Sequence, residues 1–209
     1  MTRLDFLCHL AQPLVKAYLE KKYSVHYKGK FPEGPCLIYS KHIGNMDQFF
    51  IGVMLYSQKK LATYIMRDFG ILNYALRPIG GIMVVRSKDF AKTGYSRMEA
   101  NQQNKRAADY ALSRLKLKEP VVSFPEGTRS PGKIRTPFKL WVAEQILCAQ
   151  ENGAFEKPIP NVSVGLEIKE LHGKTHVWVR AGEPFHARCK SELENKLLEE
   201  MPKLSNIQP

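Results

Sequence analysis

Apolar residues in this chain recur in short blocks at two spacings. Blocks rich in β-branched and aromatic residues predict strands over 24–27, 36–40, 61–66, 82–86, 121–124, 161–167 and 176–180. Between them, apolar positions three and four apart predict helices over 47–56, 69–76, 98–117, 139–151 and 190–201. Such alternation is the pattern of an α/β domain: a mixed, largely parallel central sheet flanked by helices. Ahead of it, residues 3–22 read as an amphipathic helix, with Leu4, Leu7, Ala11, Leu14, Val15 and Tyr18 on one side. Asp5, His9, Gln12, Lys16 and Glu20 share the other, and Pro13 is placed to split or kink the helix. Two readings of this helix stand: it packs on the protein's own core, or it lies in the headgroup region of a membrane. With no repeat, low-complexity tract or linker, the organisation expected is a helix over 1–23 and one domain over 24–209.

Composition changes this picture mainly through charge. Hydrophobic residues make 44% of the chain and charged ones 25%, which is ordinary for a globular protein. A formal net charge of +12 is not, and it favours polyanions, acidic carriers or phosphorylated ligands. Between Arg86 and Lys118 nine basic residues (Arg86, Lys88, Lys92, Arg97, Lys105, Arg106, Arg114, Lys116, Lys118) stand against three acidic ones, Asp89, Glu99 and Asp109. This stretch is read either as a solvated helix face or as a contact for anionic lipid headgroups or an acidic acyl carrier. Cys8, Cys36, Cys148 and Cys189 are scattered, without the spacing of a zinc site or a disulfide framework, and fit a reducing compartment. The apolar runs fall far short of the roughly 20 residues that span a bilayer. No signal peptide is evident, so contact with a membrane would be peripheral and from the cytoplasmic face.

Three segments carry candidate chemistry. Ser40-Lys41-His42-Ile43-Gly44-Asn45-Met46-Asp47 follows a buried-strand pattern and precedes an apolar helix. A loop that folds back there brings Asp47 against one imidazole nitrogen of His42 and leaves the other to take a proton from a hydroxyl. An acid five residues after a histidine arises easily by chance in a chain with 6 histidines and 20 acidic residues, so the pair alone decides nothing. Phe124-Pro125-Glu126-Gly127-Thr128-Arg129-Ser130, directly after a strand, is more specific. Its Pro and Gly form a tight turn that exposes amides, a hydroxyl and a guanidinium, a plausible phosphate cradle. Gly80-Gly81-Ile82-Met83-Val84-Val85-Arg86 leads a buried strand to an arginine at the carboxyl edge of the sheet.

Taken together, these segments resemble the glycerol-phosphate acyltransferase superfamily, in particular its 1-acylglycerol-3-phosphate (lysophosphatidate) acyltransferases. H-x-x-x-x-D matches His42 and Asp47, G-x-x-x-[IV]-x-R matches Gly80 to Arg86, and F-P-E-G-T-R-S matches Phe124 to Ser130, over about residues 24–170. A fourth, proline-containing motif is approximated by Ile159 to Val164, with Ser163 where the family commonly has proline. Lys41, Gly44 and Trp141 depart from the usual Asn, Ser and Gly. The resemblance implies that His42 is a general base oriented by Asp47, and that Arg86, Glu126, Gly127, Thr128 and Arg129 bind the glycerol phosphate.

What the resemblance implies for chemistry is direct transfer of a fatty acyl group to the free hydroxyl of 1-acylglycerol 3-phosphate, giving phosphatidic acid in phospholipid biosynthesis. The donor would be acyl-CoA or acyl-carrier protein, with no separate cofactor or metal. Glycerol 3-phosphate and other lysophospholipids remain open as acceptors. Consistent with direct transfer, there is no G-x-S-x-G elbow of a serine hydrolase. A non-catalytic basic module for lipid or another polyanion is the remote alternative. The basic stretch lacks exposed aromatic platforms and no nucleic-acid motif is present, so nucleic acid is not an expected partner.

Overall fold

Runs such as Cys36 to Tyr39 and Val121-Val122 are apolar at successive positions, which suits strands covered on both faces. A computed structural model, which describes residues 4–68, 71, 73–86, 89 and 94–207, shows this arrangement. In chain order the elements are α1 (Asp5–Lys22), β1 (Ser24–Lys28), β2 (Leu37–Ser40), α2 (Asp47–Ser57), β3 (Thr63–Arg67), α3 (Asn73–Leu76) and β4 (Gly81–Val84). They continue with α4 (Arg97–Lys116), β5 (Val121–Ser123), α5 (Trp141–Glu151), β6 (Asn161–Leu171), β7 (Lys174–Ala181) and α6 (Lys190–Leu204). Part of the helix expected over 69–76 lies outside the described residues, as do Lys88 and Lys92 of the basic stretch.

The strands form one mixed sheet in the order β1-β7-β6-β2-β5-β3-β4. Strands β2 to β6 run parallel, β7 runs antiparallel to β6, and β1 lies parallel to β7 at the edge. The β6–β7 hairpin turns on His172 and Gly173, both at positive φ (51° and 74°), the two-residue geometry whose twist matches that of the strands. One face of the sheet packs against α4, α5 and α6 through residues such as Tyr39, Ile82, Ala111, Ile146 and Leu197. The other packs against α1 and α2 through Ile38, Phe50, Met54, Val122 and Val179. Because β2 and β5 are short and central, their carboxyl ends open directly onto the loops that follow them.

Helix α1 departs from expectation. It runs unbroken through Pro13, and its packed side is Cys8, Val15 and Leu19, with Cys8 and Leu19 buried. Leu4, Leu7, Leu14 and Tyr18, on the side read either as packed on the core or as lying in a headgroup region, are exposed, as are Phe6 and Leu10. The helix carries apolar residues round most of its circumference, and packing against α2 covers only one stripe of them. In α4, Ser96 caps the start by accepting from the Glu99 amide, while the Glu99 side chain accepts from the Ser96 amide. Arg114, counted with the basic surface, is instead turned inward, bonded to Glu119 and 3.9 Å from Asp5.

Candidate active site

The carboxyl end of β2 delivers Lys41 and His42 into a loop that returns at once to the first turn of α2. Asp47, the first residue of that helix and 1% exposed, reaches back over the loop. Its carboxylate accepts from the amides of Ile43 (2.6 Å) and Gly44 (2.9 and 3.0 Å) and lies 2.7 Å from His42 Nδ1. An ionised acceptor at that distance holds the proton on Nδ1 and leaves Nε2 as the free basic nitrogen. Phe124 packs on the imidazole with ring centroids 4.7 Å apart. The side chain of His42 is 18% exposed, so the ring is held but reachable.

The turn after β5 is tied to the same loop. Ser130 N–H donates to the His42 carbonyl (2.8 Å), and the Glu126 carboxylate accepts from the His42 amide (2.9 Å). Glu126 is buried and also accepts from Lys41 Nζ (3.0 and 2.9 Å) and from the Arg135 amide (2.9 Å). Its oxygens are thus committed within the protein. Gly127 sits at φ 63°, and a Cβ there would lie 3.1 Å from Lys139 Cγ, so this corner calls for glycine on two counts. Its N–H closes the turn on the Phe124 carbonyl at 3.0 Å. Of the amides the sequence offered as a phosphate cradle, those of Gly127 and Ser130 are therefore spoken for.

Strand β4 ends at Val84, two residues before the end expected, so Arg86 stands in the loop beyond the sheet edge. Its Nη1 donates to the Gly127 carbonyl (2.9 Å) and its Nε to Asp89 (2.5 Å). Asn104 of α4 holds the neighbouring backbone: its amide accepts from Val85 N–H (2.7 Å) and donates to Val85 C=O (2.9 Å), as a further strand would. Thr128 and Arg129 complete the turn, with Arg129 exposed. A cavity of about 500 Å³ adjoins this group, with Arg86, Gly127 and Thr128 in its walls beside Tyr39, Val84 and Leu140. His42 and Asp47 do not contribute to those walls.

The fold therefore brings the three sequence segments to one edge of the sheet. Two participants lie outside the expected site residues. Lys41 departs in sequence from the usual Asn, and a lysine that directly continues a buried strand demands a partner. Asn104 left no local signal, since an Asn on an amphipathic helix is unremarkable until the strand beside it is known.

A model of the Acyltransferase family matches residues 22–158, a span that contains all of these segments. No curated protein sequence matches the chain. Among solved structures, the 1-acyl-sn-glycerophosphate (LPA) acyltransferase PlsC from Thermotoga maritima is similar with a TM-score of 0.63 and 19% identity, covering 97% of this chain and 80% of that one. That similarity extends the shared architecture beyond the family match, through β7 and α6. With well over half its length matched and its motif residues gathered at one sheet edge, the chain belongs to the Acyltransferase family and is an acyltransferase.

Proposed function

We propose that the chain moves a fatty acyl group from an acyl thioester to the free hydroxyl of 1-acylglycerol 3-phosphate. The observation that carries this reading is the 2.7 Å contact between His42 Nδ1 and Asp47, held against the Phe124 to Ser130 turn by the Ser130 to His42 backbone bond. His42 Nε2 takes the proton of the acceptor hydroxyl as the oxygen attacks the thioester carbonyl. The tetrahedral adduct collapses with cleavage of the C–S bond, and the departing thiolate recovers the proton from His42. A thiol of pKa about 8.5 is a far better leaving group than an alkoxide, so activating and orienting the acceptor is the enzyme's main task.

Arg86, Thr128 and Arg129 hold the acceptor's phosphate in this reading. Arg86 keeps N–H donors beyond the two bonds that fix it, and a guanidinium fork matches phosphate geometry. Glu126 and Gly127 serve the same site indirectly, by supporting the His42 loop and by anchoring Arg86. The apolar walls of the adjoining cavity suit an acyl chain. A lipid acceptor also favours work at a membrane surface, and the outward stripe of Phe6, Leu10, Leu14 and Tyr18 on α1 supports peripheral docking there. No described helix is long and apolar enough to cross a membrane.

The test is a matrix of acceptors (lysophosphatidate, glycerol 3-phosphate, other lysophospholipids) and donors (acyl-CoA, acyl-carrier protein), with His42→Ala as the blank. Fastest turnover on lysophosphatidate, lost by about 10² to 10⁴ in His42→Ala, supports the reading. Turnover unchanged in His42→Ala overturns it.

A further inference from the structure

A lysine with no exposed surface lies next to the histidine, and nothing in acyl transfer itself calls for it. We propose that Lys41 is a positioning residue, whose ammonium anchors the buried Glu126 carboxylate so that Glu126 can hold the His42 backbone for catalysis. The inference rests on the reading of His42 as the base.

The geometry assigns the role step by step. Lys41 Nζ donates to both Glu126 oxygens (3.0 and 2.9 Å), to the Lys133 carbonyl (2.7 Å) and to the Ser130 carbonyl. No other cation bonds the Glu126 carboxylate among the described residues; its remaining donors are the amides of His42 and Arg135. Without Lys41 the buried carboxylate has neither its counter-ion nor the side chain that fixes it. Freed from that anchor, its side chain can swing away from the amides of His42 and Arg135, from which it accepts. The His42 N–H would then lose its partner, leaving Asp47, Ser130 and the packing of Phe124 to hold the residue.

The ammonium has its own reason to stay. Burial pulls it below the ordinary range of a lysine, while Glu126, through hydrogen bonds and charge, and Asp47, through charge, oppose that pull. Each member of the pair is tolerable in the interior only because the other is there. The pair also reaches beyond itself, because Ser130 ends the turn and Lys133 and Arg135 belong to the segment that follows it. Lys41 thereby fastens three backbone stretches around one carboxylate: the His42 loop, the 124–130 turn and residues 133–135.

The experiment compares Lys41→Met, Glu126→Gln and the double variant. Positioning predicts that kcat falls by about 10²-fold in each single variant, as expected for a reacting group displaced by about an ångström. The KM for the acceptor should stay within about threefold, and the double variant should fall no further than the worse single one, because both act on one path. Effects that multiply, or a kcat unchanged in Lys41→Met, overturn the proposal. Should Lys41→Met fail to fold, Lys41→Gln, which keeps two donors without charge, enters the same comparison. A second readout needs no activity: the downfield proton resonance of His42 Nδ1–H, bonded to Asp47, should shift or vanish in the Lys41 variant. If the wild type proves inactive on every acceptor, that resonance still decides the matter; its persistence unchanged would sink the proposal independently of the reaction.

Discussion

At the scale of single residues, the site depends on how many donors one carboxylate serves. Asp47 accepts from two amides and an imidazole, so Asp47→Asn keeps the size but turns an NH₂ toward at least one of those donors. The Nδ1 proton of His42 then loses its anionic partner. We expect kcat/KM to fall by about 10² to 10⁴ with stability changed far less, measured by steady-state kinetics beside thermal unfolding. Cys36 offers a test away from the site. Burial pushes its thiol from 9.0 up to about 12. The folded state then holds a proton that the unfolded chain releases, so this stabilisation is whole below about pH 9 and is lost as pH rises toward 12. The stability advantage of the wild type over Cys36→Ala should shrink by at most about 1.4 kcal/mol per pH unit across that window, read from urea unfolding. The sequence spelled out His42 and Asp47 because their partnership is local, five positions along one loop. Glu126 was legible as a site residue but not in its job, since its partner Lys41 lies 85 positions away and only the sheet brings them together.

Elements show the same divide between local and distant information. The strands were readable because apolar runs bounded by Gly, Pro and charged residues mark them, and the observed ends differ by a few residues at most. Strands β6 and β7 run further than expected because their outer halves pair with each other in the hairpin, where polar residues such as Glu170 and Lys174 are exposed to water. Helix α1 was readable as a helix but not in orientation, because two stripes compete for the core and the choice belongs to α2. The stripe left outside gives a prediction about membranes. Phe6 is 74% exposed and Leu14 69%, so replacing Phe6, Leu10 and Leu14 with Ala removes little packing and should leave the unfolding midpoint nearly unchanged. Side chains of this size are worth about 1.5–3 kcal/mol each when fully buried. If α1 lies in the headgroup region, the triple variant should bind anionic vesicles at least about 10²-fold more weakly in a sedimentation assay. Equal binding would remove α1 from the docking surface.

For the whole molecule, the question is which helix meets the lipid, the apolar stripe of α1 or the basic residues of α4. Helices α1 and α2 cover one side of the sheet, while α4, with exposed Arg97, Lys105, Arg106 and Lys116, covers the other. Each basic residue at an acidic leaflet contributes about 1 kcal/mol, so reversing Lys105 and Arg106 to Glu, a change of four charges, would cost about 4 kcal/mol if α4 were the docking face. That is roughly a thousandfold in affinity. Held away from the surface, the same charges act only through the long-range field, which at 0.1 M salt fades beyond about 10 Å. With α1 as the contact, Lys105→Glu/Arg106→Glu should weaken vesicle binding less than tenfold, and the difference should vanish as salt approaches 1 M, while the α1 triple variant stays defective. A thousandfold loss in the charge-reversal variant would instead assign the bilayer to α4 and leave the stripe on α1 for another partner.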